Sequence, residues 1–326
     1  MNTEIKWGIV GLGSIAHTFA KDLQLIPNAK LVAVGSRSLS KSKEFGNEYN
    51  AEYKFGSYKE LFQCDEVDVI YIATPHTLHV NLAIEAMNHG KHVLCEKPMG
   101  VNIGEVKRMI TAAQDNKVFL MEALWSRFNP AIQKVKKLVT DGTIGKLGYL
   151  NADFAFYALD RGEESRLLNP NLAGGSLLDI GIYPVFLSYL FLGMPKNIKA
   201  TANFYKTGIE VQASMLFEYD EAQAVLYSGL VSTSEMKAEI SGTKGTLFLD
   251  PQWHQAQGYS LTKDGKTEHF NLPTLGKGYT HEIEEVHVCL KEGRLQSDLW
   301  SHQNSIDLIS LLDDVRKQTG IVFPFE

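Results

Sequence analysis

The stretch Ile5–Ala16, IKWGIVGLGSIA, decides the fold of this chain. Its first part, Ile5–Val10, is a largely apolar run that predicts a buried strand. From Ser14 to Leu25 the apolar residues recur at helical spacing, so a helix follows directly after a glycine-containing turn. The chain is therefore predicted to open with a strand, a tight turn and a helix.

The turn between this strand and this helix has the pattern G-x-G-x-x-A. Gly11 permits the tight turn, Gly13 lets a pyrophosphate approach the backbone, and Ala16 allows close packing of the helix on the strand. The amino terminus of the helix then faces the phosphates. The pattern predicts a dinucleotide-binding loop; the alternatives are a glycine turn of another doubly wound protein and a methionine-derived cofactor. The residues assigned to the cofactor here are Gly11, Gly13, Ser14, Ile15 and Ala16.

Buried strands and helices alternate through the rest of the first half. Apolar runs without polar alternation, separated by helical patterns, are typical of a parallel sheet covered on both faces. Residues 1–122 are therefore predicted to form a Rossmann domain, a doubly wound parallel sheet of the α/β class. Its later strands are predicted at 31–34, 53–55, 67–73, 93–95 and from 118 onward, and its later helices at 79–89 and 103–116.

The end of the second strand indicates which nicotinamide cofactor would bind. An acid about 20 residues beyond the glycine loop would bind the ribose 2′-hydroxyl of NAD. Here Ser36 and Arg37 follow the strand instead. The serine can hydrogen-bond a 2′-phosphate, and the arginine can pair with it and stack on adenine, with Lys41 or Lys43 adding charge. The sequence favours NADP over NAD; the alternative is that Arg37 is only a solvated cation.

The loop after the fourth strand, Ala73–His79, contains two histidines. They could suggest a metal, but no third ligand lies nearby in the sequence and the spacing is not H-E-x-x-H. We predict helix capping and packing around the cofactor, and no metal site. The residues assigned to cofactor binding in this loop are Thr74, Pro75, His76 and His79.

The fifth strand ends on an acid, a base and a proline, Glu96-Lys97-Pro98. Proline cannot donate to a sheet, and it pushes the preceding residue into an extended conformation. Pro98 would therefore end the strand and hold Lys97 at the carboxyl edge, where such sheets bind ligands. The role of that lysine depends on the rest of the chain.

The alternation of strand and helix stops after Trp125. Successive strands with hairpin-like turns imply a large, mostly antiparallel open sheet in a second, α+β domain. We predict that residues 123–326 form this substrate-binding and oligomerisation domain, with closing helices that can pack back on the first domain. Helices are predicted at 131–139, 175–192, 281–292 and 301–318, strands at 148–157, 198–205, 211–219, 224–231, 238–241 and 246–249, and a hairpin turn at 263–266.

Two of these strands, 211–219 and 224–231, carry apolar residues on both faces. One face would cover the helices of its own domain. The other would be an exposed apolar patch in a monomer, and such patches usually mark an interface. The pattern predicts an interface on this sheet.

Asp179 and Tyr183 are the polar residues of the apolar run Leu177–Phe186. Their spacing of four places both on one face of a helix. A polar pair on a buried face must find partners. The spacing alone leaves open a core tyrosine bonded to a carboxylate and a functional pair. Pro184 should weaken or kink this helix.

Composition excludes several classes of protein. The net charge of −6 argues against a nucleic-acid-binding protein, which usually carries a basic stripe. The start of the chain does not resemble a signal peptide, and no apolar stretch approaches the roughly 18 residues of a membrane span. The odd number of widely separated cysteines, Cys64, Cys95 and Cys289, predicts reduced thiols in a cytoplasmic protein.

Several stretches together resemble one family. They are the GLGSIA loop, the SR after the second strand, ATPHTLH at 73–79, CEKP at 95–98, MEALWSRF at 121–128 and GGSLLDIGIY at 174–183. This set is similar to the Gfo/Idh/MocA (glucose–fructose oxidoreductase and inositol dehydrogenase) family. MEALWSRF and LLDIGIY resemble its branch of dimeric trans-dihydrodiol dehydrogenases and NADP-dependent D-xylose dehydrogenases.

The resemblance implies roles for three residues. In that family the lysine of the EKP motif lies beside the nicotinamide, which points to Lys97. The last residue of D-x-G-x-[HY] is the proton donor or acceptor, which points to Tyr183. A nearby ammonium would lower the high pKa of a tyrosine, so Lys97 would assist Tyr183. Asp179 would orient Lys97 or bind a substrate hydroxyl.

The implied activity is hydride transfer between NADP and a secondary alcohol or carbonyl of a sugar, such as an aldose, or of a cyclic trans-dihydrodiol. Alternatives are a non-catalytic cofactor sensor of the same fold and an NAD-dependent inositol-type dehydrogenase. Arg127 could bind substrate, cap local structure or bind the other domain. The residues assigned to the substrate pocket are Trp125, Arg127, Phe154, Trp253 and Tyr279. The resemblance also implies that Glu96 and Lys97 contact the cofactor; the alternative is a surface ion pair between them. Similar family members pair through the sheet of the second domain, which implies a homodimer or a larger homo-oligomer.

Overall fold

The computed structural model describes residues 4–326. The chain divides into two compact units. Unit 1 comprises the chain up to Trp125 together with Leu275–Ile306, and unit 2 comprises Ser126–Thr274 and Asp307–Glu326.

Helices and strands alternate regularly in the first third of the chain, and the rest is dominated by strands. The strands are β1 Ile5–Val10, β2 Ala29–Gly35, β3 Tyr53–Phe55, β4 Val69–Ile72, β5 His92–Glu96, β6 Leu120–Ala123, β7 Leu147–Ala155, β8 Asn197–Phe204, β9 Glu210–Glu218, β10 Gln223–Gly229, β11 Ala238–Gly242, β12 Gly245–Leu249, β13 Gly258–Lys263 and β14 Lys266–Asn271. The helices are α1 Ser14–Leu23, α2 Leu39–Glu48, α3 Tyr58–Phe62, α4 His79–Asn88, α5 Ile103–Asn116, α6 Pro130–Thr140, α7 Ile182–Leu192, α8 Thr280–Lys291 and α9 His302–Thr319.

Unit 1 contains a six-stranded parallel sheet in the order β3-β2-β1-β4-β5-β6. The strand order reverses between β1 and β4, which is the switch point where doubly wound sheets bind ligands. The continuous apolar runs of β1 and β4 are buried on both sides, because helices cover both faces of such a sheet. The predicted parallel Rossmann sheet is confirmed.

Unit 2 contains an eight-stranded sheet in the order β14-β13-β12-β11-β7-β10-β9-β8. Every neighbouring pair is antiparallel except β7 and β10. The predicted hairpin turn joins β13 to β14, and both Asp264 and Gly265 have positive φ there, as a type I′ turn requires. The predicted large, mostly antiparallel sheet is confirmed.

The helix predicted from Gly175 to Leu192 consists of two parts. A π-helical turn, Leu177–Gly181, leads directly into α7. Pro184 cannot donate a backbone hydrogen bond, and a wider turn before it accommodates the missing donor. The stretch Pro170–Leu192 is apolar enough to cross a membrane, contrary to the expectation from sequence, but 83% of its apolar window is buried inside the protein.

One face of the sheet in unit 2 carries apolar side chains that remain partly exposed. Tyr149 on β7, Val225 on β10 and Phe248 on β12 are each about two-fifths exposed. Ala213 and Ala224 on the opposite face are fully buried. The two-sided apolar pattern of the sequence therefore corresponds to one covered face and one open face.

Candidate active site

The glycine loop of unit 1 has the geometry of a phosphate-binding turn. Gly11 has a φ of +86°, and a Cβ there would lie 2.8 Å from the carbonyl carbon of Ala73. Gly13 precedes α1; among residues 4–326, no side chain caps this helix end and nothing lies within 4 Å of where a Cβ on Gly13 would be. The first N–H groups of α1 are thus open to an anion, so these residues fit a dinucleotide. Ser14 and Ile15 begin the helix, and Ala16 is fully buried, as close packing requires.

Ser36 and Arg37 lie beside this loop, immediately after β2. The Gly11 N–H donates to the Gly35 carbonyl at 3.4 Å, which joins the glycine loop to the end of that strand. The Ser36 hydroxyl accepts a hydrogen bond from the Ser38 N–H at 3.3 Å, and the Arg37 side chain is exposed. A serine hydroxyl and a guanidinium at this edge match the chemistry of a ribose 2′-phosphate.

The loop after β4 is joined to the loop after β5 by a histidine. His79 is fully buried, and its two ring nitrogens lie 2.9 Å from the Pro98 carbonyl oxygen and 2.8 Å from that of Thr74. Burial lowers the pKa of His79. Pro75 and His76 complete this loop. His79 therefore positions the backbone on both sides of the candidate cofactor edge.

Lys97 follows β5 in a segment whose backbone is held by hydrogen bonds to buried carboxylates. The Lys97 N–H donates to the Glu96 carboxylate at 3.2 Å, and the Met99 N–H donates to Glu122 at 2.9 Å. Glu122 also accepts from the Trp300 indole at 3.1 Å and from the Ser305 hydroxyl at 2.7 Å. The half-buried side chain of Lys97 therefore extends from a backbone that buried groups hold in place.

Glu96 belongs to a buried acidic cluster rather than to the surface. It is 7% exposed, and its carboxylate accepts a hydrogen bond from the Tyr71 hydroxyl. Glu282 on α8 is fully buried, and neither of its carboxyl oxygens has a hydrogen-bond partner within residues 4–326. Burial, with the nearby charges of Glu96 and Asp22, raises the pKa of Glu282 well above its usual value. No sequence pattern pointed to this cluster.

We expect Glu282→Gln to stabilise the protein in a pH-dependent way. The native pKa of Glu282 is raised, so the wild type keeps its full stability below the unfolded pKa and loses stability as pH rises toward the native pKa. The amide has no proton to lose, so its advantage should grow above about pH 4.5, reaching on the order of 1 kcal/mol or about 2–4 °C in Tm. Thermal unfolding at pH 5 and pH 8 measures it.

The exposed Glu284 on the same helix supplies the control, because Glu284→Gln removes a carboxylate without a burial cost. An equal response of the two variants at both pH values would contradict the expectation.

Two of the aromatic residues assigned to the substrate pocket stack on each other in unit 1. The rings of Trp125 and Tyr279 lie 4.9 Å apart between centroids with an interplanar angle of 14°. The buried Asp22 carboxylate fixes the segment before α8 by accepting the backbone N–H groups of Lys277 and Tyr279, each at 2.9 Å. Asp22 is a further residue that the sequence did not indicate.

A second set of candidate residues lies in unit 2, around the π-helical turn. Asp179 is 4% exposed and receives two hydrogen bonds from Arg166, at 2.6 Å from Nη1 and 3.3 Å from Nη2. Such a bidentate pair fixes the orientation of the carboxylate. Arg166 lies in an irregular segment, where no periodicity could have identified it.

Tyr183 begins an aromatic cluster with Phe154 and His254. The Phe154 ring lies 5.5 Å from that of Tyr183 and stacks on the His254 imidazole at 4.2 Å. His254 is 5.6 Å from Tyr183 between ring centroids. Its backbone carbonyl accepts a hydrogen bond from the Ser126 hydroxyl at 2.6 Å. The imidazole therefore lies beside the predicted acid/base, and sequence reasoning missed it.

Trp253 meets this cluster at its edge, with its ring 6.4 Å from that of His254 at an interplanar angle of 84°. Its side chain is fully buried, and its indole donates to the Asp153 carbonyl at 2.9 Å, within the interior of unit 2. Arg127, also in unit 2, is 8% exposed; burial, together with the charge of Arg127, lowers the pKa of Lys136.

Comparison with known proteins then decides the family. A family model described as "Oxidoreductase family, NAD-binding Rossmann fold" matches residues 5–124, and the model of the GFO/IDH/MocA C-terminal domain matches residues 132–248. The chain belongs to the Gfo/Idh/MocA oxidoreductase family. The resemblance deduced from the motifs is confirmed, and the chain is an oxidoreductase of the dehydrogenase type.

Two curated relatives cover 98% of this chain and are covered to 98% of their own length. A trans-1,2-dihydrobenzene-1,2-diol dehydrogenase of Mus musculus is 37% identical, and the scyllo-inositol 2-dehydrogenase (NADP(+)) IolU of Bacillus subtilis is 34% identical. Among solved structures, KijD10, a 3-ketoreductase from Actinomadura kijaniata in complex with NADP and TDP-benzene, is 25% identical with a TM-score of 0.87 over 97% of this chain and 98% of its own.

Proposed function

We propose that this chain is an NADP-dependent oxidoreductase that transfers a hydride between the nicotinamide and a secondary alcohol or carbonyl of a sugar or a cyclic trans-diol. The observation that carries the proposal is the anchored segment that presents Lys97 at the carboxyl edge of the sheet whose first strand leads into the open amino end of α1. The dihydrodiol and inositol dehydrogenases among the relatives support the substrate class.

The proposed oxidation accounts for both the hydride and the proton that leave the substrate alcohol. Bound NADP⁺ supplies the acceptor for the hydride that leaves the carbinol carbon. The Tyr183 phenolate takes the hydroxyl proton as the carbonyl forms, and the Lys97 ammonium favours that phenolate by opposite charge. In reduction, Tyr183 returns the proton to the developing alkoxide. Asp179, oriented by Arg166, holds a substrate hydroxyl or Lys97.

Replacing Ser36 by aspartate should shift the cofactor preference toward NAD. The carboxylate would accept a hydrogen bond from the 2′-hydroxyl of NAD and repel the 2′-phosphate of NADP. We expect the ratio of kcat/KM for NADP to that for NAD to fall by roughly tenfold or more. Initial rates with each cofactor measure this ratio.

Ser40→Asp, a neighbouring exposed position on α2, is the control for added charge alone. An unchanged preference in Ser36→Asp would remove Ser36 from the cofactor site.

The aromatic residues fit a ring-shaped substrate, but they do not distinguish a sugar from a cyclic diol. Trp125 and Tyr279 in unit 1 and Phe154 in unit 2 can stack on a sugar face as well as on a benzene ring. His254 adds a polar imidazole beside Phe154 that can hydrogen-bond a substrate hydroxyl.

Reduction of NADP⁺, followed by ultraviolet absorbance, tests the function directly. The substrates are D-xylose, D-glucose, myo-inositol, scyllo-inositol and a cyclic trans-diol, with NAD⁺ in parallel. Turnover of one of them supports the proposal. Tight NADPH binding without turnover of any substrate in either direction would favour a cofactor sensor instead.

We also propose that the chain forms a homodimer through the open face of the sheet in unit 2. Tyr149, Val225 and Phe248 leave apolar area on that face, and burying it would be favourable. Light scattering at micromolar concentration should give twice the mass of one chain. Val225→Lys should shift the mass toward the monomer; a monomeric wild type would contradict the proposal.

Cytoplasmic location is proposed on the state of the cysteines. Cys64, Cys95 and Cys289 are all free thiols in the structure. Free thiols are typical of proteins from a reducing compartment.

A further inference from the structure

We propose that Glu210 is the positioning residue that holds the segment Ser176–Tyr183 in register for the reaction. The inference rests on the proposed function, in which Tyr183 on that segment is the acid/base. Glu210 begins β9, far from the segment in sequence, and its side chain is 1% exposed.

The Glu210 carboxylate supplies the missing cap of the π-helical turn. The amino end of a helix leaves backbone N–H groups without partners, and Ser176 makes no local side-chain cap. The Leu177 N–H donates to Glu210 instead, and the polar groups of Ser176 face the same carboxylate and lower its pKa, against the larger effect of burial. A negative group at this helix end is also favoured by the helix dipole.

Close packing prevents the segment from shifting around this contact. Gly175 has a φ of +118°, and a Cβ there would lie 2.0 Å from a Glu210 carboxyl oxygen. A Cβ on Gly181 would lie 2.8 Å from the Ser228 hydroxyl of β10. That hydroxyl is 2.9 Å from the Ser176 hydroxyl, so β9 and β10 together hold both ends of the turn.

Stability alone does not account for a carboxyl group at this position. Burial raises the pKa of Glu210 to about 7, and no basic side chain within residues 4–326 forms an ion pair with it. A buried ionisable group without a counter-charge is costly, so we attribute its presence to the geometry that its contacts with Leu177 and Ser176 impose. Asp179 lies two residues beyond Leu177, and Tyr183 lies within two turns of it.

The test compares Glu210→Gln with Glu210→Asp and with Glu218→Gln. The amide keeps the shape of Glu210 but can turn an NH₂ group toward the donors of Ser176 and Leu177. Glu218 lies at the other end of the same strand and pairs with Lys199 at 2.6 Å near the surface, so its variant controls for losing a carboxylate from β9.

Glu210→Gln should lower kcat by roughly tenfold to 100-fold, because small misplacements of catalytic groups have effects of that size. The Kd of NADPH, measured by fluorescence, should stay within about twofold, since the assigned cofactor residues lie in unit 1. Hydrogen exchange of the peptide spanning 175–183 should become faster in this variant. Glu210→Asp, which keeps the carboxylate, should recover part of kcat.

Two results would overturn the proposal. One is a folded Glu210→Gln protein with the kcat and the exchange pattern of the wild type. The other is a kcat that falls only in proportion to the folded fraction measured by circular dichroism. If the wild type itself lacks turnover, the proposed function fails, and the exchange measurement still decides whether Glu210 holds the segment.

Discussion

Tyr183→Phe is expected to lower turnover by roughly 100-fold or more while cofactor affinity is unchanged. The substitution removes one hydroxyl and leaves the ring that packs against Phe154 and His254. Without the hydroxyl, no group takes the substrate proton when the hydride leaves, and the alkoxide must form unassisted. The loss should therefore appear in kcat more than in the KM for substrate.

Steady-state rates with saturating NADP⁺, together with NADPH binding by fluorescence, measure this effect. Tyr189→Phe is the matched control, because Tyr189 lies on the same helix and its hydroxyl bonds Asp307 at 2.7 Å. The control should keep turnover within about twofold. Near-normal turnover of Tyr183→Phe would remove the tyrosine from the mechanism.

Lys97→Met should lower turnover at pH 7.5 by roughly 100-fold, with a different pH dependence from the tyrosine variant. A free tyrosine titrates near pH 10, and a nearby ammonium favours its phenolate. Removing the ammonium raises the pKa of the acid/base, so residual oxidation should increase as pH rises above 8. Tyr183→Phe has no phenol to titrate and should show no such increase.

The pH profile of kcat from pH 6 to pH 10 separates the two variants. Lys107→Met on α5 is the control, since it removes an exposed lysine from the helix that follows the same loop. Parallel profiles for Lys97→Met and the wild type would show that the lysine does not tune the tyrosine.

The fold could be predicted from local signals because those signals are contiguous in the sequence. The apolar run of β1, the glycines that follow it and the helical spacing of α1 all lie within 5–25, and they specify a strand–turn–helix unit without any distant partner. Helix α5 begins and ends at the predicted residues. Its start is fixed by Asn102, whose side chain accepts a hydrogen bond from the Glu105 N–H at 3.0 Å.

The partners of the candidate site could not be predicted in the same way. The hydrogen-bonded partners are far apart in sequence: 13 positions separate Arg166 from Asp179, 33 separate Glu210 from Leu177, and 23 separate Glu122 from Met99. Side-chain pairing over such separations depends on the tertiary packing, which leaves no periodic trace. The same limit hid His254, which stacks on Phe154 and directly follows Trp253, a residue assigned to the substrate pocket from the sequence.

Unit 1 is discontinuous along the chain, and this has a consequence for how it is synthesised. Buried carboxylates on α1 and β6, Asp22 and Glu122, receive their donors from Lys277, Tyr279, Trp300 and Ser305. These donors leave the ribosome long after the six parallel strands have emerged. Until these residues have been synthesised, Asp22 and Glu122 lack these partners, although Met99 can already donate to Glu122. Folding of the nucleotide-binding half is thus a late event in translation, although its sequence comes first.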